Sequence, residues 1–392
     1  MLGDNGSGKS TLLRSLALAL MGPKEGLAAR QNWSSWLGNQ ATPAKIELKV
    51  SVGAGDQYSG QGNRRTINSE TFSIDIKKDE SRVDLARGAC DGNDPDRYIW
   101  GSGGGWFSAG FGPFRRFEGG DAKADRLFHT NPKLAAHITL FGEDIALTEC
   151  LPWLKDLYLE KLENKVSDPL LPKIEGFINQ SGFLPFNYKL DEVNAEGVTF
   201  IDGNGRKVAV EELSDGFRSF LSMTFELIRQ MKRNSSSEPS FDGSTITTEG
   251  VVLIDEMDAH LHPNWQKEIG FRLSSLFPNI QFIVSSHSPL ICHAAKEVGS
   301  ILRMPSQGSG EGPKVLSGLD RNRLVYGDII EGLSTSGFEA GETRSEEANK
   351  MLDELASLNV KDLDSKLSEP EHARQTVLRD VFPLDALVVS TE

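Results

Sequence analysis

The feature that most restricts the fold is a glycine-rich loop almost at the start of the chain, Gly3-Asp4-Asn5-Gly6-Ser7-Gly8-Lys9-Ser10, followed by Thr11. Its glycines allow main-chain N–H groups to turn inward around phosphate oxygens. Lys9 is placed to neutralise the β- and γ-phosphates of a nucleotide, and the Ser10 hydroxyl to bind Mg²⁺. Apolar residues then recur at helical spacing, which predicts a helix over 10–21 with its positive end towards the anion. The segment from Gly3 to Thr11 therefore predicts a site for ATP and Mg²⁺.

The strand that should present this loop is nearly absent. A P-loop ordinarily connects a buried strand to a helix, but only Met1 and Leu2 precede Gly3. We interpret this as a truncated chain or a start codon placed too late, and we expect coding sequence upstream of Met1 to supply the strand. The alternative is a permuted or unusual fold. Without the strand, the loop is expected to bind ATP weakly.

Charge and cysteine content narrow the classes of partner and compartment. The 392 residues carry a formal net charge of -14, whereas a protein that coats duplex DNA needs clustered Lys and Arg to replace phosphate counterions. A local strip of basic residues that contacts nucleic acid remains an alternative. Three well-separated cysteines show neither a metal-ligand spacing nor a disulfide framework, which favours the reducing cytoplasm. No apolar run approaches the roughly 20 residues of a membrane helix, so no membrane association is expected.

Hydrophobic periodicity predicts an α/β chain with a strand-rich segment near its start. Period-two alternation predicts strands, continuous apolar runs predict buried parallel strands, and Gly and Asp clusters predict turns. The predicted strands are 46–52, 72–76, 106–114, 251–254 and 281–284, with a hairpin at 188–201; turns are predicted at 53–62 and 88–105. The predicted helices are 143–163, 167–181, 214–232 and 264–276, with an exposed loop at 232–249 and an acidic, mostly helical segment at 306–392.

Two carboxylates follow the first buried strand, in Val251-Val252-Leu253-Ile254-Asp255-Glu256. Asp255 is placed to hold Mg²⁺ through water, and Glu256 to orient or deprotonate an attacking water, as phosphoryl transfer requires. A strand that merely ends in acidic surface residues is the alternative. A P-loop in the same chain favours the catalytic interpretation.

Two more segments have the residue types of a phosphate site. In Leu213-Ser214-Asp215-Gly216-Phe217-Arg218, Ser214 suits a helix N-cap, and the free N–H groups of such a helix end bind anions. His287 follows the strand predicted at 281–284, where an imidazole is placed to contact a γ-phosphate and sense its loss. The alternatives are an ordinary capped helix and a structural histidine. His260 and His262 stand on a turn without a further ligand set, so we predict no metal there.

These motifs, in the order P-loop, Ser214–Gly216 segment, Asp255–Glu256 and His287, resemble Walker A, signature, Walker B and switch histidine of the ABC ATPase superfamily. The string Asp-Glu-Met-Asp-Ala-His-Leu-His-Pro at 255–263 is similar to the soluble branch near SMC, RecF and OLD proteins. The resemblance implies a P-loop NTPase of ABC type: a mixed sheet with an antiparallel β subdomain, a helical lobe and a helical C-terminal extension. It implies hydrolysis carried by Lys9, Glu256 and His287, with Asp258 of the D-loop at a dimer interface. Ser214 and Gly216 would bind the nucleotide of the other protomer.

The resemblance covers about 1–305, the expected ATPase domain. We expect a Walker A and β-rich lobe at 1–115, a helical insert and hairpin at 116–212, and the signature, Walker B and switch histidine at 213–305. Residues 306–392 form either a solvated helical extension or a partner-docking surface. Gln31 and Gln40 stand too early for a Q-loop residue. Arg115 or Arg116 either serves near that position or forms a surface basic pair.

Residues 109–116 and the acidic tail resemble standalone ATPases of bacterial anti-phage operons, such as the Septu ATPase subunit. The first functional hypothesis is an ATP-driven homodimer or higher homo-oligomer that switches a partner effector, such as a nuclease encoded nearby. The alternative is a DNA-repair or chromosome-maintenance ATPase that binds nucleic acid directly. The absence of sustained heptads and the net charge disfavour it. Neither a nuclease site at Asp362-Leu363-Asp364 nor a transporter ATPase is expected.

Overall fold

The computed structural model describes most of the chain in segments: residues 1–29, 31–37, 43–60, 65, 67–79, 82–101, 106–117, 131–142, 147–163, 169–234, 239–296, 298–336, 338, 346–363 and 367–382. Its helices are α1 (Lys9–Met21), α2 (Pro23–Ala28), α3 (Trp33–Trp36), α4 (Pro132–Ala135), α5 (Cys150–Leu162), α6 (Leu170–Ile178), α7 (Asp215–Asn234), α8 (Pro263–Leu276), α9 (Gly318–Tyr326), α10 (Ile329–Leu333), α11 (Glu346–Leu363) and α12 (Glu369–Val381). Its strands are β1 (Ala44–Ser51), β2 (Ser69–Asp79), β3 (Arg82–Asp91), β4 (Phe107–Phe111), β5 (Lys189–Val193), β6 (Val198–Ile201), β7 (Lys207–Ala209), β8 (Phe241–Asp242), β9 (Thr245–Ile246), β10 (Gly250–Ile254), β11 (Ile280–Val284), β12 (Leu302–Arg303) and β13 (Lys314–Val315).

A parallel sheet in the order β4-β10-β11 forms the centre of the fold. The residues before the P-loop extend it: the Met1 ammonium donates to the Val284 carbonyl at 2.6 Å. On its other side, the Leu2 N–H donates to the Leu302 carbonyl and the Leu2 carbonyl accepts from Met304, both at 2.8 Å. Because β12 then pairs antiparallel with β13, the sheet is mixed, as predicted. Met1 and Leu2 thus occupy a strand position between β11 and β12.

Two hydrophobic clusters lie on the two sides of this sheet. The first, here called the P-loop cluster, joins α1, α2 and β2 to the turn at Ile138–Leu140 and includes Leu13, Leu18, Phe72 and Leu253. The second, here called the signature cluster, joins α5, α6, α7 and α8 to β4 and β10. A buried sheet alternates its side chains between its faces, so Leu253 of β10 faces the first cluster and Val252 and Ile254 face the second.

The antiparallel subdomain has the order β1-β2-β3. The predicted alternation is confirmed, since Ile74 and its alternate neighbours Phe72 and Ile76 are buried in β2. The prediction of a turn from 88 onwards is wrong for 88–91, because β3 continues to Asp91 and pairs with β2. Gly88 belongs to this strand: a Cβ there would meet the Ser73 Oγ at 2.3 Å, so the glycine allows close cross-strand packing.

The polar segment after α7 was predicted as an exposed loop, which is wrong for its second half. α7 continues to Asn234, and β8 and β9 then form a short hairpin. Ile246 is buried, and the Phe241 ring lies 6.0 Å from the Phe177 ring, centroid to centroid. Two apolar residues therefore anchor a segment whose composition is otherwise polar. The hairpin predicted at 188–201 is confirmed by β5 and β6.

The end of the chain is mainly helical, as predicted, but begins with the β12–β13 hairpin, which spans the predicted boundary at 305/306. That boundary stays a prediction. α11 and α12 pack on each other around Leu355, Leu358 and Leu378. Asp362 accepts hydrogen bonds from Gln375 and Arg379 inside this pair. Gln40 and Asp364 lie outside the described residues.

The described residues thus form an α/β fold with a mixed central sheet, an antiparallel β subdomain and a helical lobe, which confirms the predicted fold class. None of the described helices combines the length and apolar character that crossing a bilayer requires. The carboxyl ends of the parallel strands at Phe111, Ile254 and Val284 meet at one edge of the sheet, together with Leu2. Ligands of open α/β sheets bind at this edge.

Candidate functional site

The P-loop turns sharply between Leu2 and α1. Gly3, Gly6 and Gly8 have φ values of 146°, 79° and 92°, a region that side-chain-bearing residues rarely adopt. A Cβ on Gly3 would also meet the Ser7 Oγ at 2.8 Å and Met304 at 3.0 Å. Backbone conformation therefore favours glycine at all three positions, and space also requires it at Gly3, which leaves a concave loop in front of α1.

Two observations show that this loop fits a phosphate group. The Ser7 Oγ is buried and has no hydrogen-bond partner among the described residues. α1 begins after Gly8 without a side-chain cap, so its first N–H groups point towards the loop. A polyphosphate would satisfy both sets of donors. The loop is thus a suitable cradle for the triphosphate of ATP.

Lys9 lies inside this cradle and is only 6% exposed. Its ammonium donates to the carbonyls of Gly3 at 2.7 Å and Asp4 at 2.9 Å. Burial lowers the pKa of Lys9, and the nearby carboxylates of Asp255 and Glu256 oppose that shift. The structure therefore brings the P-loop lysine into the field of the Walker B carboxylates, although they lie about 250 residues apart in the sequence.

The Walker B turn after β10 is held by main-chain and side-chain hydrogen bonds. The Asp255 N–H donates to the Phe111 carbonyl at 2.8 Å, and its carboxylate accepts from the Ser285 hydroxyl. The Glu256 N–H donates to the same hydroxyl oxygen at 2.9 Å. Glu256 has a φ of 47°, which is strained for a residue with a side chain. Ser285 therefore fixes both carboxylate-bearing residues at once.

His287, the predicted switch histidine, and Asp258 of the predicted D-loop meet beside this turn. The His287 N–H donates to the Asp258 carboxylate at 3.2 Å, while the His287 side chain is exposed. Ser10 is half-buried and Thr11 exposed at the start of α1. The imidazole of His287 is therefore free to reach a ligand at the carboxyl edge, and Asp258 ties the D-loop to the switch loop.

The signature segment lies in a different environment. The Arg218 N–H donates to the Ser214 carbonyl at 3.0 Å, so Ser214 immediately precedes α7, and Ser214 and Asp215 are exposed. Gly216 approaches the D-loop so closely that a Cβ would meet the His260 carbonyl at 2.8 Å. Phe217 belongs to the signature cluster, whereas α1 belongs to the P-loop cluster. The structure thus brings together the P-loop, Asp255, Glu256, Asp258 and His287. The predicted signature segment lies next to the D-loop instead.

Sequence reasoning missed one residue of this edge, Ser285, and left a second, Arg115, undecided. Ser285 carried no motif signal, because its partners Asp255 and Glu256 come from another strand. For Arg115 the sequence left two interpretations, a residue that serves near the Q-loop position and a member of a surface basic pair. The surface interpretation is wrong for Arg115, which is 6% exposed, and fits Arg116, which is exposed. Its burial was not readable from the sequence, since the residues around it are equally compatible with a loop.

Among the described residues, no group of three or more His, Cys, Asp or Glu side chains is arranged to hold a metal ion. His262 instead caps α8, because its Nδ1 accepts from the Asn264 N–H at 3.3 Å. Mg²⁺ at nucleotide sites takes most of its ligands from phosphates and water, with one or two protein oxygens. Ser10 and Asp255 are the residues that fit this role.

Comparison with known proteins supports the motif-based resemblance. Residues 143–293 match the family model described as "AAA domain, putative AbiEii toxin, Type IV TA system". The "Retron Ec83 probable ATPase" of Escherichia coli is 40% identical over 112 residues, which are 28% of this chain and 20% of that protein. The "Septu protein PtuA" of Bacillus mycoides (strain KBAB4) is 32% identical over 192 residues, 44% of this chain and 24% of that protein.

This chain therefore matches about a quarter of the length of these curated relatives. Among solved structures, the chain is similar to one titled "Crystal structure of the SmcHead bound to the C-winged helix domain of ScpA". The aligned region covers 80% of this chain and 87% of the chain in that structure, with 15% sequence identity and a TM-score of 0.43. That is a distant likeness only. Residues 143–293, less than half of the chain, are thus similar to an AAA domain, and the predicted resemblance to Septu-like ATPase subunits is confirmed.

Proposed function

We propose that this chain is an ATP-hydrolysing switch that dimerises around its nucleotide. One observation carries the proposal. The P-loop, the Walker B turn and His287 share the carboxyl edge of the sheet, whereas α7 starts beside the D-loop with Ser214 and Asp215 exposed. A second copy of the chain would supply Ser214 and Gly216 to the nucleotide held by the first, because an exposed helix N-terminus binds anions.

Each residue then has a chemical task. Lys9 exchanges its bonds to loop carbonyls for bonds to the β- and γ-phosphates, and the first N–H groups of α1 bind the same oxygens. Ser10 and Asp255 would hold Mg²⁺, which when bound neutralises phosphate charge. Glu256 orients and deprotonates the attacking water, with its main chain fixed by Ser285. His287 contacts the γ-phosphate, and Asp258 keeps the two loops in register.

A Glu256→Gln variant tests the proposal. Removing the proton acceptor while keeping the shape of the side chain should leave ATP binding intact, slow hydrolysis by about 10²-fold or more, and accumulate an ATP-bound dimer. Molar mass by light scattering, with ATP and with ADP, measures the change. Glu268→Gln is the matched control, since Glu268 lies on the exposed face of α8 and pairs with Arg272. A molar mass that does not respond to ATP in Glu256→Gln would overturn the dimeric switch.

The proposed biological role is to control a partner effector, such as a nuclease encoded nearby, in bacterial anti-phage defence within the cytoplasm. The support is the set of relatives, which are named "Septu protein PtuA" and "Retron Ec83 probable ATPase". Co-expression with the neighbouring genes should lower phage plating efficiency, and Glu256→Gln should abolish that protection. Equal plating with and without the wild-type chain would count against the role.

A further inference from the structure

Arg115 lies at the carboxyl edge of the sheet, just after β4, and its guanidinium is buried. Its Nη1 donates to the carbonyls of Gly112 at 3.0 Å and Asp255 at 2.8 Å. Its Nη2 donates to the Glu256 carbonyl at 3.0 Å, and its Nε donates to the Ser219 hydroxyl at 3.1 Å. One planar group therefore bonds to three separate segments of the chain, which is a use that only the forked donor set of arginine supports.

The partners of this cation are neutral groups. All four hydrogen bonds go to carbonyls or a hydroxyl. Burial lowers the pKa of Arg115 to about 10, against the opposing charges of Asp258, Asp255 and Glu256, so the side chain is a cation at neutral pH. A buried cation without a bonded carboxylate is expensive compared with an apolar residue of the same volume. Stability alone therefore does not account for arginine at this position.

The bonds to Asp255 and Glu256 act on the Walker B turn. Glu256 holds a φ of 47°, and its N–H and carbonyl are both engaged, by Ser285 and by Arg115. With its main chain fixed on both sides, the Cα–Cβ direction of Glu256 is fixed as well. Arg115 thus holds the backbone that carries this carboxylate.

The bond to Ser219 acts on the signature helix. Ser219 lies in the second turn of α7, three residues after Gly216, and is 2% exposed. The Arg115 Nε–Ser219 Oγ contact is direct, at 3.1 Å, so one helix turn connects the start of α7 to the guanidinium.

We propose that Arg115 is a positioning residue that couples the first turns of the signature helix to the Glu256 carboxylate of the same chain. Engagement of Ser214 and Gly216 by the nucleotide of a second copy would then adjust hydrolysis at this chain's own nucleotide. The coupling rests on the dimeric ATPase proposed above. It assigns to Arg115 the link between the two sites of the dimer, through Ser219 on one side and the Glu256 carbonyl on the other.

Ser219→Ala tests the link, because it removes the bond to α7 and keeps the three bonds to carbonyls. ATP affinity should stay within about twofold of wild type, while kcat at saturating ATP falls about three- to tenfold, the size of one lost hydrogen bond. Ser222→Ala is the matched control. Ser222 is also buried on α7, but its hydroxyl donates to the Ser219 carbonyl within the helix. Its kcat should equal that of wild type.

A double-mutant cycle separates coupling from general damage. Arg115→Lys keeps the charge but not the fork, and should lower kcat more than Ser219→Ala does. The double variant Arg115→Lys with Ser219→Ala should be no slower than Arg115→Lys alone, since the second change removes a bond that is already gone. Additive losses, or a Ser219→Ala enzyme with the kcat of Ser222→Ala, would overturn the role of Arg115.

The same protein preparations distinguish a failure of the Arg115 coupling from a failure of the proposed dimeric switch. Ser219→Ala introduced into Glu256→Gln should still form the ATP-bound dimer, measured by molar mass. A dimer that forms in Glu256→Gln but not in that double variant would show that Ser219 serves assembly, which also overturns the coupling. Loss of dimerisation in Glu256→Gln itself contradicts the dimeric switch instead.

Discussion

The Walker B turn and the first turn of α7 belong to the same predicted nucleotide site. The first is buried and hydrogen-bonded within one chain, whereas the second lies exposed at the surface. Asp255 is 3% exposed, and both it and Glu256 are held by Ser285. Ser214 and Asp215 are exposed instead. Catalytic groups need fixed geometry before the substrate arrives, whereas a group that completes a neighbour's site must project from the surface. The contrast fits the proposed dimer, in which one half of each site is preassembled in its own chain and the other half is donated by the second copy.

The largest expected effect concerns the preassembled half. Ser285→Ala removes the hydroxyl shared by the Asp255 carboxylate and the Glu256 N–H, and leaves both short of a partner. The free energy of unfolding should fall by about 1–3 kcal/mol, and kcat should fall with it. Urea denaturation measures the first quantity. Ser274→Ala, whose hydroxyl donates to the Gly270 carbonyl on the exposed face of α8, should change stability by less than about 0.5 kcal/mol. Equal stability of the two variants would contradict the preassembled turn.

A smaller effect is expected at the donated half. In Gly216→Ala the new Cβ meets the His260 carbonyl, an overpacking cost of about 1–3 kcal/mol. The intrinsic preference of a helix for Ala over Gly offsets about 0.5–1 kcal/mol of it. ATP binding to the single chain should be unchanged. Because the clash displaces Ser214 from its position at the start of α7, the dissociation constant of the ATP-bound dimer should rise, by about fivefold for each 1 kcal/mol of lost dimer contact.

Gly176→Ala is the matched control for this variant. Gly176 lies in α6, and a Cβ there would meet no atom within 4 Å. The free energy of unfolding should rise by about 0.5–1 kcal/mol, with no change in dimerisation. If Gly216→Ala dimerised like Gly176→Ala, the start of α7 would not be the donated half.

The smallest expected effect is a pH dependence of stability that arises at His137, beside the P-loop cluster. His137 is buried between β4 and the P-loop cluster, with its Nε2 3.0 Å from the Ser108 Oγ and its Nδ1 unpartnered among the described residues. Burial lowers its pKa to about 3. The unfolded chain takes up the proton near pH 6.5 and the folded chain does not, so stability is full above pH 6.5 and is lost as the pH falls.

When the pH falls from 7 to 6, this histidine should lower the free energy of unfolding of the wild-type protein by about 0.7 kcal/mol. His137→Gln, which does not titrate, should lack that part of the slope. Chemical denaturation of both proteins at the two pH values gives the difference. Parallel slopes would mean that His137 titrates equally in the folded and unfolded chains, and that its burial has no energetic consequence.

The sequence alone predicted the elements whose signals are local. The P-loop glycines, the apolar run of β10 and the start of α7 at Asp215 each depend on residues within a few positions of one another. The failures have the same explanation. β3 and the β8–β9 hairpin lacked a strong local pattern, because Gly88 is placed by a cross-strand neighbour and Ile246 by packing against distant helices.

The fold class and the order of motifs were therefore determined by the sequence, since local periodicity and loop chemistry suffice for them. Only the tertiary structure decided that Ser285 holds the Walker B carboxylates and that Arg115 joins them to α7. The Arg115–Asp255 bond joins residues 140 positions apart, and the Arg115–Ser219 bond joins residues 104 apart. Contacts at such separation arise when strands and helices pack, and no short stretch of sequence encodes them.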